Sequence, residues 1–297
     1  MPRIAYITKN FKAETLDIIR TANEIINDYQ QEGYDLTLRQ LYYQFVSRAL
    51  MPNTDKSYNR LGSIINDARL AGMVDWDAIV DRTRNLQSNA HWNDPSDMVS
   101  SCANQFVVDK WDNQKWRPEV WIEKDALVGV IEGACDELDV PYFSCRGYTS
   151  QSEMWSAARR LKRYGLADQT PFIIHLGDHD PSGIDMTRDI FDRMTMFMGG
   201  LEVRRIALNM NQIEELGPPP NPAKVTDSRA EAYMDKFGDE SWELDALEPS
   251  YIDRIIREAI DEVRDPELWA EQEEREADGR AKLKFVADDW DDITEGV

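Results

Sequence analysis

The chain has 297 residues, 42% of them hydrophobic, and a formal net charge of −22 from 56 acidic and 34 basic side chains. That length and apolar content allow a sizeable buried core in one large domain or two smaller ones, whereas so large an acidic excess argues against a general nucleic-acid-binding surface and confines any such site to a local basic groove. No run approaches the roughly eighteen apolar residues of a membrane span, and the opening MPRIAYITKNFK lacks the apolar stretch of a signal peptide, so no membrane partner is expected. The three cysteines, Cys102, Cys135 and Cys145, fit no metal-ligand spacing and are odd in number, which reads as a reduced, cytoplasmic protein.

In chain order, Ala13–Tyr29 has helical periodicity and stops at Gly33. Thr37 is the expected N-cap of a second helix, Leu38–Leu50, ended by Met51-Pro52-Asn53. Asp55–Leu70 forms a third, stopped by Gly72. Asp77–Arg84 alternates like a strand. Three helices and a β-segment in this order suggest a winged helix-turn-helix. Lys56, Arg60 and Ser63 on the outer face of the third helix would either meet phosphates or form an ordinary solvated face. Residues 85–115 are polar and read as a linker. From Trp116 onward strands and helices alternate: Glu119–Ile122, Ala126–Leu138, Tyr142–Cys145, Gln151–Tyr164, Phe172–Leu176, Ser182–Met198, Val203–Leu208. This is the βαβ pattern of a parallel sheet. GPPPNP at 217–222 closes it. Beyond lie Ser241–Leu247 (SWELDAL), a helix around Tyr251–Val263 and an acidic end expected to fray. Residues 227–297 carry 24 of the acids and 9 of the bases.

Chemistry concentrates at two strand ends. FIIHLGDHDPSGI, Phe172–Ile184, runs from a buried strand into two aspartates, Asp178 and Asp180. They read either as caps of the helix that follows or as hard-oxygen ligands suited to Mg²⁺, in the place where open α/β sheets gather ligands. Glu119–Glu123, EVWIE, ends a second strand in Glu123, which reads as a surface residue paired with Lys124 or as a third acid of the same site. His179 reads as an exposed linker residue or a DNA contact. On the second helix, Leu38, Leu41, Tyr42, Phe45 and Ala49 share one stripe, which makes Tyr42 core. Tyr43 lies off that stripe beside Arg39 and reads as an exposed surface residue or as a nucleophile whose neighbouring cation would stabilise phenolate or clamp a phosphate.

Together these residues resemble a family. Thr37–Tyr43, TLRQLYY, is similar to the nucleophile helix of type IIB DNA topoisomerase A subunits, the group of the topoisomerase VI A subunit and the meiotic double-strand-break protein. Glu119–Ala126, EVWIEKDA, resembles the glutamate motif of a Toprim domain, and Gly177–Ile184, GDHDPSGI, its D-x-D motif. The resemblance covers roughly residues 35–215 and implies an α/β plus α fold. A winged-helix, CAP-like domain (1–90) would be followed by a linker (91–115), a Toprim domain with a parallel sheet (116–225) and an acidic helical C-terminal extension (226–297). It implies that Tyr43 attacks a DNA phosphodiester and becomes linked to the 5′ phosphate beside Arg39. Glu123, Asp178 and Asp180 would hold Mg²⁺, with Glu123 alternatively a general acid/base. Lys56, Arg60 and Lys124 would contact double-stranded DNA. It also implies a homodimer whose sites are shared between chains, and a separate ATPase subunit for any gated strand passage. The rival expectations are a Toprim nuclease that hydrolyses DNA with metal and water, and a DNA-binding regulator.

Overall fold

A computed structural model describes residues 3–31, 33–80, 89–223, 227 and 229–295. Its N-terminal unit packs α1 (Ala13–Gln31), α2 (Leu38–Ser47) and α3 (Asp55–Leu70). Ile19, Ala22, Ile25, Leu41, Tyr42, Phe45, Leu61 and Ile65 meet in one buried cluster. The spacing of those residues is the helical period, so each helix turns one stripe inward. Thr37 opens α2 with a capping box: its side chain accepts from Gln40 N–H while the Gln40 side chain accepts from Thr37 N–H. Such a cap is worth about 1 kcal/mol. Of the expected strand Asp77–Arg84, Ile79 makes only an isolated parallel bridge to Leu36, and residues 81–84 lie outside the described residues.

The supposed linker contains a helix, α4 (Pro95–Gln105), started by Asp94 as N-cap and Pro95 at its first position. Beyond it come β1 (Trp116–Ile122), a 3-10 turn at Asp125–Leu127, α5 (Val128–Glu137), β2 (Tyr142–Ser144), α6 (Gln151–Leu166), β3 (Thr170–Leu176), α7 (Pro181–Met198), β4 (Glu202–Ala207) and α8 (Met210–Leu216). The four strands form a parallel sheet in the order β2-β1-β3-β4. Its central strands are buried on both faces, as parallel sheets require. Val120, Ile122, Phe172, Ile174 and Leu176 face α5. Trp121 and Ile173, one residue out of phase, face α6 and α7. The charged Glu119 is tolerated inside β1 because Arg160 meets it with two hydrogen bonds of 2.7 and 2.8 Å.

The acidic remainder is not a loose extension. A short pair, β5 (Asn221–Pro222) and β6 (Glu240–Ser241), brackets α9 (Ala230–Phe237). A 3-10 turn at Leu244–Ala246 then leads into α10 (Pro249–Asp261). Trp242, Leu244, Ile252, Ile256 and Ile260 are buried in the same cluster as the sheet. The strongly one-sided α10 thus completes a face of the sheet and turns its acids to solvent. Next, α11 (Pro266–Asp288) lies along α4, and α12 (Trp290–Thr294) follows. A Cβ on Gly279 of α11 would collide with the ring of Phe106 at the end of α4. Gly279→Ala is therefore expected to lower the thermal midpoint and to expose residues 95–105 to limited proteolysis. Helix propensity alone would favour alanine by about 1 kcal/mol, so a raised midpoint would refute this contact as the reason for the glycine.

Candidate active site

β1 and β3 run side by side and end together, so their C-terminal residues are neighbours. Glu123 follows β1 and accepts the Asp178 N–H at its Oε2 (2.8 Å). Asp180 is the N-cap of α7: its Oδ1 accepts from Gly183 N–H at 2.6 Å and from Ser182 Oγ at 2.9 Å. The capping reading of the D-x-D pair therefore holds for Asp180. Asp178 is buried and does something else. Its Oδ1 lies 3.0 Å from Lys124 Nζ and accepts the Leu244 N–H at 2.7 Å. The glycine of the motif has a spatial reason, since a Cβ on Gly183 would collide with the Asp178 carbonyl and crowd Glu123.

Lys124 is the centre of this site. Besides Asp178 it meets Glu243 Oε2 at 2.8 Å and Asp245 Oδ2 at 3.4 Å. Burial opposes its charge, and the three carboxylates more than reverse that, so its pKa is raised. It is thus held by acids of its own chain on the wall of a cavity. From the N-terminal unit, Arg39 reaches the same acids: Nη2 to Glu243 at 3.0 Å and Nε to Asp245 at 3.1 Å. Its guanidinium carbon lies 5.8 Å from the centre of the Tyr43 ring.

Tyr43 is not an exposed surface residue. It is 4% exposed and shares the wall of one cavity with Glu243. Burial first, and then the Glu243 carboxylate, push the phenol above its ordinary pKa, against the pull of Arg39 and Lys124. For Glu243 burial works upward too, but Lys124, Tyr43 and Arg39 carry its carboxyl down to about 2. Arg39, Tyr43, Lys124, Asp178, Asp180 and Glu243 line one cavity of about 620 Å³. Glu123 lies behind that wall, against the Asp178 backbone. Lys56 and Arg60 are elsewhere. They line a separate cavity with Glu14 and Asp17, and Arg60 is paired with Glu14 at 2.5 Å.

Three residues that matter here carry no motif. Arg205 of β4 is half-buried and fastens the acidic turn, donating to the carbonyls of Gly177, Asp178, Gly183 and Leu208 at 2.7–3.1 Å. The visible signal was a second Arg inside an apolar strand pattern. Glu243 and Asp245 arrive because the Trp242 and His179 backbones exchange hydrogen bonds of 2.8 and 2.9 Å. His179 is accordingly buried at 1%, with Nδ1 2.7 Å from Tyr233 Oη, which corrects its reading as an exposed residue.

Three carboxylates at one sheet end suit a hard divalent cation by their chemistry. As arranged they do not form its cage. Among the described residues no group of three or more His, Cys, Asp or Glu side chains is placed to hold a metal ion. Asp178 is engaged by Lys124, Asp180 by the start of α7, and Glu123 by the Asp178 backbone.

Burial and the nearby Asp178 charge hold the Glu123 carboxyl well above the ordinary carboxylate range. An acid whose folded pKa exceeds its unfolded one binds more protons folded than unfolded between the two values. Its contribution to stability is therefore present at low pH and lost as pH rises through that window. In metal-free buffer, Glu123→Gln is expected to flatten this fall, so that the variant gains melting temperature relative to the native chain between pH 5 and pH 9. Parallel pH profiles would contradict the shift.

No protein-family model matches the chain, and no curated protein matches it, which leaves the residues of this site to carry any assignment of activity.

Proposed function

We propose that the chain is a DNA-cleaving enzyme of the type IIB topoisomerase A kind, in which Tyr43 attacks a phosphodiester. One observation supports the reading above the others: Tyr43 and Arg39, from the helical unit, share a cavity with Lys124, Asp178 and Asp180, from the ends of two parallel strands. In the reaction the Tyr43 oxygen bonds to phosphorus, the bond from phosphorus to the 3′ oxygen breaks, and the proton lost by the phenol ends on that 3′ oxygen. The 5′ phosphate stays on the protein, and attack by the 3′ hydroxyl reverses the step. Arg39 and Lys124 are the cations that would neutralise the non-bridging oxygens. Mg²⁺ belongs to the reading through the resemblance: Glu123, Asp178 and Asp180 are the residues that would hold it, and it would neutralise the phosphate. A double-strand break needs two such sites, hence a homodimer. Tyr43 lies against the acids of its own chain, so a site within one chain needs no exchange of helices.

A hydrolytic reading is favoured by a specific observation, the burial of Tyr43 and its raised pKa. In a Toprim nuclease water would be the attacking group and Tyr43 would only support Arg39.

Supercoiled plasmid and Mg²⁺, followed by denaturation and protease digestion, separate the two. The expected result is protein attached to 5′ ends, with attachment and cutting reduced on the order of 10³-fold or more in Tyr43→Phe. Chelation of Mg²⁺ with EDTA should stop both. Free ends that persist in Tyr43→Phe would make the enzyme a nuclease, and no cutting by the native chain under any divalent cation would remove the enzymatic reading.

A further inference from the structure

We propose that Arg39, Lys124 and the Tyr43 hydroxyl form a phosphate subsite, and that the Glu243 carboxylate occupies it as the chain's own surrogate for a phosphodiester, closing the resting protein to nucleic acid. The inference rests on the DNA-cleaving reading for the identity of the ligand, but not for the existence of the subsite.

The geometry is that of an anion site already filled. A single oxygen, Glu243 Oε2, lies 3.0 Å from Arg39 Nη2 and 2.8 Å from Lys124 Nζ, and Tyr43 lines the same cavity. A guanidinium and an ammonium converging on one anionic oxygen, with a phenol on the same cavity wall, are donors of the kind that recognise phosphate oxygens. They do so on the wall of an open cavity rather than in a sealed core.

The charge balance points the same way. Two cations, Arg39 and Lys124, face three carboxylates, Asp178, Glu243 and Asp245. Exchanging Glu243 for a singly charged phosphodiester leaves that balance unaltered, so the cost of exposing the buried lysine to unpaired burial is avoided.

Of the two acids on the SWELDAL segment, Glu243 is the one able to leave. Its side chain is 26% exposed, whereas that of Asp245 is 0% exposed. Glu243 stands between β6 and the 3-10 turn, so its side chain can swing out without unwinding either. Asp245 stays behind as counter-ion to both cations, with its Oδ1 buried and lacking a hydrogen-bond partner.

The test compares the native chain, Glu243→Gln, Glu243→Ser and the double variant Arg39→Gln/Glu243→Gln, each first confirmed as folded by circular dichroism. Binding of a short fluorescent DNA duplex is measured by anisotropy in EDTA, so that nothing is cut. Both single variants should bind about tenfold or more tightly than the native chain, with a salt dependence steeper by about one phosphate contact, and the double variant should lose the gain. Unchanged or weaker binding in both single variants would overturn the proposal, as would their failure to fold. Should no form bind duplex, the DNA reading falls, and inorganic tripolyphosphate then decides the subsite. A rise of melting temperature in Glu243→Gln that is absent from the native chain and the double variant upholds it. The same response in all three overturns it.

Discussion

A buried ammonium governs the way this molecule is put together. Lys124 stands at the end of β1 with its side chain 18% exposed, within 3.4 Å of carboxylates from residues 178, 243 and 245. Taking such a charge out of water costs several kcal/mol, and the loss is offset only where opposite charges are held at good geometry. Here the acids come from the turn after β3 and from the segment before α10, two pieces of chain with no local reason to meet. Arg39 then binds the same two distal acids from the other side. One cluster thus joins the helical unit, the sheet and the acidic C-terminal region. Tyr29 with Glu248 and Asn53 with Asn221 tie the units at further points.

How the acidic turn keeps its shape follows from the same constraint. Acids at 123, 178 and 180 crowd one turn, and burial and the charge of Asp178 raise the pKa of Glu123. Arg205 holds the turn, through carbonyl oxygens rather than through the carboxylates themselves. Burial lowers its pKa to about 10, and the charges of Glu123, Asp178 and Asp180 pull the other way. Gly183 lets the start of α7 close over the turn without a clash, and Asp180 fixes that start as its cap. The motif is therefore a backbone device as well as a row of acids.

Much of the fold was legible because period and punctuation agreed. The apolar runs in β1 and β3, the N-cap Thr37 and the break at Gly72 each specify an element locally. What escaped the sequence was decided by distant partners. The segment PSDMVSSCANQ has a weak apolar face with only Ala103 buried, and it holds as α4 because α11, far along the chain, packs on it. Tyr43 falls off the stripe of α2 as helical geometry requires, and it is absent from the core of its own unit. It is buried all the same, because the acids on the far side of the cavity give that second flank of the helix a partner. His179 was misread for a like reason: its burial comes from backbone pairing with Trp242, which no spacing announces. Of the site, the residues at strand ends and on α2 were readable from type and position. Glu243 and Asp245 were not, since an acid in an acidic region carries no signal of its own.

The raised pKa of Tyr43 bears on the proposed chemistry in a way that depends on Glu243. Burial and the Glu243 carboxylate hold the proton on the phenol, while Arg39 and Lys124 work to release it. A phosphodiester in the place of Glu243 would bring an equal charge and acceptor oxygens of its own, so the phenol would keep its proton until the reaction takes it. It would also put a phosphorus centre beside the phenol. Under the proposed reaction, the exchange of anions that admits the substrate is then also the step that brings phosphorus to the nucleophile. With Glu243 in place, the same subsite would be closed to stray phosphates. That gives a protein of net charge −22 a physical reason to keep so acidic a segment at its cationic site.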